Sequence, residues 1–481
     1  MPRINSKSFA VLLIPLLLII VLRLYLMGSL PLADTTEARY AELARVTASG
    51  SFWLMPHITP TQPFFAKPPL STWFAAGSWL AFGKNELAVR LPSLALVLLS
   101  CLAMLYGAAS FKLTRHQWLF ASLVIMTTPI GFISAGAVMT DATQLAIVSW
   151  AMVFLWRIIQ NQATDNISIN KLKFDQYGLW LMLGLGAIAK GLATWILISL
   201  PMMLFWLTLP KETVLTHIRK IWFWPGILVF LCVVLAWYIP AEMHYPGFLK
   251  YFIIGEHFQR FLEPGWKGDM YGSAHREAIG TIWVYWAMST GIWLPVFIYK
   301  LRKDCPLFNK ALAIEKKWLW AWILAPLIFF TFSRNIIWTY TLTAIPAFSI
   351  LVAGSWPTLG AGFRKIMVPA IVLWLVLMFV TAFTWFTHLE ERKSARKLVH
   401  VARLEYPGRQ LYSYGTHEFS VSYYTNGQVK YVEGKPQLSE LLLVPDSLII
   451  LNTAQAKNIE HNRQGKILGI NGTHALLITN Q

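Results

Sequence analysis

Cysteine is nearly missing from this chain: three occur in 481 residues. Cys101 and Cys232 lie inside apolar runs and Cys305 in a basic loop, which argues against a disulfide framework, a thiolate metal site and redox chemistry. Charge is also scarce, at 13%, against 56% hydrophobic residues and a mean hydropathy of +0.51. That balance excludes an ordinary soluble domain. Acids are the rarer sign, 23 against 41 lysines and arginines, for a net charge of +18. In a soluble chain such an excess points to nucleic acid, so the positions of the charges decide its meaning. No glycine-rich phosphate loop is present, which removes a nucleotide site, and no histidine pair has the HExxH spacing of a zinc enzyme. Long-period repeats and low-complexity tracts are absent as well.

Long apolar runs fill the space that charge leaves. Stretches long enough to cross about 30 Å of hydrocarbon as helix fall near residues 9–27, 89–110, 117–135, 138–157, 176–190, 191–209, 222–240, 278–299, 318–333, 336–356 and 366–386. The segment 71–83 lies in the interface or re-enters. These runs predict a polytopic α-helical membrane protein with about 11 to 13 transmembrane helices. The 23 tryptophans and 17 tyrosines suit the two interfaces. Basic residues recur in alternate loops: Arg3 and Lys7; Lys112 and Arg115; Arg157, Lys171 and Lys173; Lys211, Arg219 and Lys220; Lys300 to Lys317; Arg364 and Lys365. The positive-inside rule makes those loops and the N-terminus cytoplasmic. The first run is too long for a signal-peptide core and lacks a small-residue cleavage site, so it reads as a retained helix. From residue 387 the pattern changes. LEERKSARKLVHVARL reads as a basic amphipathic helix, and QLYSYG, FSVSYYTN, QVKYVEG, DSLIILN and HALLITN alternate like short strands. The organisation expected is a transmembrane domain over 1–390 and a small soluble α/β domain over 391–481 on the outer side.

Polar groups near membrane ends are costly unless they face water, a partner or a substrate. Asp34, Glu37, Arg39, Lys67, Asp141, Lys190, Glu256, His257, Arg260, Asp269, His275 and Arg334 all map to the outer side, where loops 28–88 and 241–277 are the largest. A site assembled at the outer face follows.

In ADTTEARYAELAR (33–45), Asp34 and Glu37 precede a helical pattern, and local sequence favours an acidic N-cap. A carboxylate fixed at the mouth of a cavity is equally what a general base requires. In QPFFAKPPL (62–70), Pro68 and Pro69 stiffen the backbone and bias Lys67 away from helix, so its ammonium sits on a rigid arm suited to holding an anion. A lysine that merely snorkels to headgroups needs no such arm. Asp141 in GAVMTDATQL is an intramembrane acid, a functional candidate or a helix cap. In EHFQRF (256–261), Glu256 and Arg260 share a helical face and can pair, or Arg260 can grip a phosphate with its planar fork. His257 and His275 read first as structural imidazoles. Tyr340, at the outer end of the span that begins with Arg334, is an interface anchor or a donor to an anionic headgroup.

Together DTTEARYAELAR, FAKPPLSTW, VRLPS, GAVMTDATQL, AKGL, EHFQRFLEPGWKGDMYG and RNIIWTYTLTAIPA resemble, in order and across roughly residues 30–350, the GT-C class of membrane glycosyltransferases, specifically the bacterial aminoarabinose transferase and protein mannosyltransferase group. The resemblance implies inverting sugar transfer from an undecaprenyl-type phosphate donor to lipid A, another envelope glycan or a protein, at the periplasmic face of the bacterial inner membrane. It carries catalytic roles to Asp34, with Asp141 and Glu37 as further acids, and lipid-phosphate contacts to Lys67, Arg260 and Tyr340. Arg39, His257, His275 and Lys190 are added as substrate-binding candidates. Three departures stand out. Thr36, not an acid, directly precedes Glu37, and Ala66 stands before the Lys-Pro pair where the aminoarabinose enzymes have a metal-contacting glutamate; Phe64 replaces a nearby tyrosine. No metal ligand is assigned and no cofactor is certain; a divalent metal stays an open alternative, weakened by Ala66. The rival reading is a polytopic transporter or lipid flippase, for which inverted repeats and mid-membrane broken helices would be expected.

Overall fold

The computed structural model describes residues 6–162, 166–272, 275–304, 309–415 and 418–480. Arg3 and Cys305 lie outside these described residues, as do Ser273 and Ala274 of the loop 241–277. The chain divides into two compact units. The first comprises Met1–Arg23, Phe64–Ser71 and Pro92–Leu375, and the second Leu24–Pro63, Thr72–Leu91 and Val376–Gln481.

The first unit is helical. Among the described residues six helices of the chain are long and apolar enough to cross a membrane: Ala10–Ser29, Glu86–Gly107, Asp141–Gln160, Trp224–His244, Thr281–Asp304 and Ala361–Thr384. Shorter or more polar helices, Asn166–Lys190, Leu192–Trp206, Ile314–Thr331 and Ile345–Ser355, cover the other expected runs. The expected run 117–135 is two helices, Arg115–Thr127 and Pro129–Ser134. The first opens on a reciprocal Thr114–Gln117 capping box. Thr128 caps the second, with Pro129 in its first turn. The run 278–299 is interrupted by a 3₁₀ turn at Gly291–Trp293, and 336–356 starts as a 3₁₀ helix, Trp338–Ala344. Asp141–Gln160 is the most enclosed span and packs along Asn166–Lys190, which also carries Trp224–His244 on its flank. Where these two inner helices meet, Arg157 Nε lies 3.1 Å from both oxygens of buried Asp175, and the Tyr106 hydroxyl donates to the same carboxylate at 2.7 Å. An ion pair so enclosed fixes register.

The second unit holds the helix Thr36–Gly50, the short hairpin β1 (His57–Thr59) and β2 (Gln62–Pro63), and a five-stranded sheet. That sheet runs β4 (Lys430–Val432), β3 (Leu411–Tyr414), β5 (Leu448–Asn452), β7 (His474–Thr479), β6 (Gly465–Asn471). β3 pairs in parallel with both β4 and β5, and β5–β7–β6 is antiparallel. Strand alternation splits the core in two. Leu448, Ile450 and Leu476 face helices Arg396–Glu405 and Phe419–Tyr424, whereas Ile449, Leu451 and Leu477 face Lys435–Leu441 and Thr453–His461. FSVSYYTN, expected as a strand, is the helix Phe419–Tyr424. A single turn suffices to bury Ser420, Val421, Ser422 and Tyr423 together, and over six residues alternation does not separate the two conformations.

Candidate active site

Within the first unit the site centres on Glu256, which the sequence places among the outer-side polar residues and as a helical neighbour of Arg260 but to which it assigns no role of its own. It sits on a π-helix, Lys250–Gln259, continued by one α turn, Arg260–Leu262. π-helical turns are rare and recur at functional sites. The Glu256 carboxylate accepts from Lys67 Nζ at 2.6 Å and from Arg260 Nη1 at 3.1 Å to each oxygen. Tyr251 Oη lies 3.4 Å away, and Asp269 approaches Arg260 Nη1 at 3.4 Å from the other side. The Glu256 side chain is only 1% exposed, while Lys67 and Arg260 are 26% and 21% exposed. The carboxylate is thus the most enclosed member of the trio, paired with two cationic side chains that are each only partly exposed. Burial works to raise the Glu256 carboxyl, but the Lys67 and Arg260 charges outweigh it and hold it below the usual carboxylate range. Arg260 Nε is buried and has no hydrogen-bond partner among the described residues, and Lys67 spends one further proton on the Ala66 carbonyl at 2.7 Å.

The rigid arm behind Lys67 is held by aromatics. Phe64 is buried edge-on to Tyr271, with ring centres 4.7 Å apart, and the Tyr271 hydroxyl accepts the Phe65 N–H at 3.0 Å. Phe65 packs edge-on against Phe248 and Tyr245. Burial, reinforced by the Arg260 and Lys190 charges, pulls the Lys67 ammonium below its ordinary value despite Glu256. Asn335 anchors the loop that follows Arg260, donating to the Arg260 and Glu263 carbonyls at 2.5 and 2.6 Å and accepting the Gly265 N–H at 2.9 Å.

Lys190 and Asp141 form a buried pair at 2.8 Å, so Asp141, the first residue of its helix, faces a cation and makes no cap. The Lys190 ammonium lies 5.8 Å from the centre of the Tyr340 ring. His257 bridges the Phe252 and Lys190 carbonyls at 2.7 and 3.1 Å and ties the π-helix to the end of Asn166–Lys190. Burial lowers the His257 imidazole below its ordinary value. Gly191 makes this closeness feasible. Its φ is +62°, and an added Cβ would lie 2.8 Å from the Phe252 ring and 3.1 Å from His257. Of the residues singled out from sequence, Lys67, Arg260, Lys190, Asp141, His257 and Tyr340 gather here. His275 is exposed.

Asp34, Glu37 and Arg39 belong to the second unit. The N-cap reading of Asp34 and Glu37 fails for Asp34. The helix begins at Thr36, and the Asp34 carboxylate accepts instead from the Ser420 N–H at 3.1 Å, while its own N–H donates to the Lys393 carbonyl at 2.7 Å. Burial is the largest influence and lifts its carboxyl to about 6, with Glu418 adding to the rise and bonds from Ser420 and Phe419 opposing it. Glu37 does close the helix start, accepting the Ala33 N–H at 3.2 Å, but its main partner is buried Arg90, at 2.8 Å to each oxygen. Arg90 also donates to the Met27, Leu30 and Pro31 carbonyls. That contact was hidden in VRLPS, where no local pattern marks an arginine that closes a distant loop. The Arg39 guanidinium lies 5.7 Å from the Tyr40 ring centre.

The donor set does not fit a divalent metal. Ala66 offers only a carbonyl, already taken by Lys67, the nearest carboxylate is engaged by two cations, and no three His, Cys, Asp or Glu groups converge among the described residues.

Residues 66–239 match the family described as dolichyl-phosphate-mannose-protein mannosyltransferase. The chain superposes on the crystal structure of ArnT from Cupriavidus metallidurans bound to undecaprenyl phosphate, with a TM-score of 0.76 over 97% of both chains at 16% identity. It has the GT-C fold of membrane glycosyltransferases. The archaeal oligosaccharyltransferase AglB from Archaeoglobus fulgidus, in complex with an inhibitory peptide and a dolichol-phosphate, is a more distant structural relative, with a TM-score of 0.55 and 11% identity over 92% of this chain and 69% of that one. By sequence, the undecaprenyl phosphate-alpha-4-amino-4-deoxy-L-arabinose arabinosyl transferase of Aeromonas salmonicida (strain A449) is 27% identical over 332 residues, 68% of this chain and 56% of the relative. The enzyme of the same name from Shewanella sediminis is 25% identical over 361 residues, 73% of this chain and 60% of the relative. The chain thus spans somewhat over half the length of the curated relatives it matches. A GT-C fold with these apolar helices makes this a multi-pass membrane protein.

Proposed function

We propose that this protein is an inverting glycosyltransferase that takes a sugar from a polyprenyl phosphate, of the undecaprenyl type, and passes it to an acceptor at the periplasmic face of the bacterial inner membrane. Lipid A is the favoured acceptor, with other envelope glycans or protein as alternatives. The N-terminus is cytoplasmic, residues 1–390 form the transmembrane catalytic domain and residues 391–481 a periplasmic domain.

The observation that carries this reading is the pair of cations, Lys67 and Arg260, held on one buried carboxylate, their side chains more exposed than that of their anchor. As the glycosidic bond stretches, negative charge grows on the leaving phosphate. Donors already fixed around that position stabilise the transition state more than the ground state and need no reorganisation. Glu256 keeps the two like charges together in the absence of substrate, and the partnerless Arg260 Nε is a donor left for a phosphate oxygen. Lys190, beside Tyr340, adds positive charge to the same cluster. The anomeric carbon becomes oxocarbenium-like and is attacked from the opposite face. Asp34, with its carboxyl lifted to about 6, is suited to accept the proton of an attacking hydroxyl near neutral pH; Asp141 is a further acid, in the first unit.

The test is transfer by the purified chain in nanodiscs, with undecaprenyl phosphate-α-4-amino-4-deoxy-L-arabinose as donor probe and lipid A as acceptor, read by mass spectrometry. Sugar-modified lipid A with release of undecaprenyl phosphate is the expected result. Movement of the intact donor between leaflets with no bond broken would replace the transferase reading with a flippase.

A further inference from the structure

The acid assigned as base in the first outer loop is held by the C-terminal part of the chain. The Asp34 N–H donates to the Lys393 carbonyl at 2.7 Å, and its Oδ1 accepts the Ser420 N–H at 3.1 Å. The Ser420 hydroxyl accepts the Ala395 N–H at 3.0 Å and turns its own proton to Asp34. Next to this grip, Glu418 forms an ion pair with His474 at the start of β7. The Glu418 carbonyl accepts the Tyr431 hydroxyl at 3.0 Å, and that hydroxyl also meets Ser422 at 2.6 Å, so the segment is pinned from two strands, β4 and β7. The titratable groups facing Asp34 are Glu418, His474 and the Tyr431 phenol, while Glu37 on the adjoining helix turns to Arg90.

We infer that the Glu418–His474 pair is a positioning and tuning device for Asp34, through which the C-terminal part of the chain sets the protonation of the acid in the first outer loop. This deepens the proposed function and rests on it for the word base. The chemistry follows from the charges. An uncompensated Glu418 carboxylate disfavours ionised Asp34, and the His474 imidazolium cancels part of that repulsion. Glu418 in turn raises His474 above its ordinary value through their hydrogen bond, which favours the charged imidazole beside Asp34. A C-terminal domain serving only as a lid or a recognition module would have no need of an ion pair at this spot.

Two charge-neutral substitutions should then act in opposite directions. Glu418→Gln removes the repelling charge and shifts the Asp34 midpoint to lower pH, and His474→Gln leaves Glu418 unbalanced and shifts it to higher pH, each by about half a unit or more. His474→Lys keeps the positive charge and should return the midpoint to that of the parent. The midpoint is read without substrate, from the difference in Tm between each full-length protein and the same protein carrying Asp34→Asn, followed across pH. Since the folded carboxyl titrates higher than the unfolded one, the Asp34 contribution to stability is complete below about 4 and is lost as pH rises through about 6. The acid limb of the transfer rate, with the donor probe above, is recorded in parallel. Opposite shifts with rescue by lysine support the inference. Midpoints that stay put in folded variants, or that move in the same direction, overturn it. Shifted midpoints with an unmoved rate profile support the pair's hold on Asp34 and overturn the base role instead.

Discussion

Arg90 spends its whole guanidinium on Glu37 and on the carbonyls of Met27, Leu30 and Pro31. Removing the charge of Glu37 therefore leaves a buried cation without its counterion, a loss of about 3 kcal/mol or more. Asp34 is different. Asparagine keeps an oxygen for the Ser420 N–H and abolishes the cost of a buried ionised carboxyl. Asp34→Asn should leave Tm at pH 7 unchanged or raised while transfer falls at least about 100-fold, whereas Glu37→Gln should lower Tm first and activity only with it. Paired melting curves and initial rates check this, and in the parent the rate should drop as pH falls through about 6, when the base takes up its proton. These roles were only half legible in the sequence. DTTEARYAELAR announces a helix start with two acids, but which acid faces an arginine 53 residues on and which faces a serine 386 residues on is tertiary information. The Glu256–Arg260 pair was legible, being one helical turn apart. The third member, Lys67, joins it across 189 residues, and no local pattern encodes that.

At the scale of elements, the helix break at Gly191 is what brings Lys190 beside the π-helix. A sequence scan placed the boundary between two spans there, because the apolar run is too long for one crossing and contains the glycine. It did not anticipate that the π-helical segment would press its Phe252 and His257 against that glycine. Gly191→Ala places a methyl where φ is positive and where ring atoms stand 2.8 Å away. The expected cost is about 1 to 3 kcal/mol, seen as a fall in Tm, with transfer activity reduced further because the Lys190–His257 tie moves. The short strand-like motifs of the C-terminal part match strands where an apolar, β-branched run fills the whole strand, as in DSLIILN and HALLITN. They were misread at FSVSYYTN, where one helical turn buries the same side chains, and β6 was not anticipated because GKILGIN carries two glycines and little alternation. The broken helices at Thr128 and Gly291 likewise followed from residues the scan saw but treated as interior to a span.

For the molecule as a whole, composition alone gave the membrane, and the order of loop motifs gave the GT-C fold that superposition on ArnT bears out. What composition hid was the economy of the charge. Most of the net positive charge lies in basic loops, while the Glu256 cluster contains nearly balanced cations and carboxylates, the carboxylates being the less exposed partners. Under the proposed function it is this difference in side-chain exposure, not excess charge, that would let the cluster receive an anion. Lys67→Ala is the direct probe, because it removes one exposed head and leaves Glu256 with Arg260. The affinity of the purified, folded protein for undecaprenyl phosphate in nanodiscs, measured for parent and variant side by side, should fall about 10- to 100-fold, the worth of one charge-assisted hydrogen bond. Equal affinity in the two proteins would contradict the account.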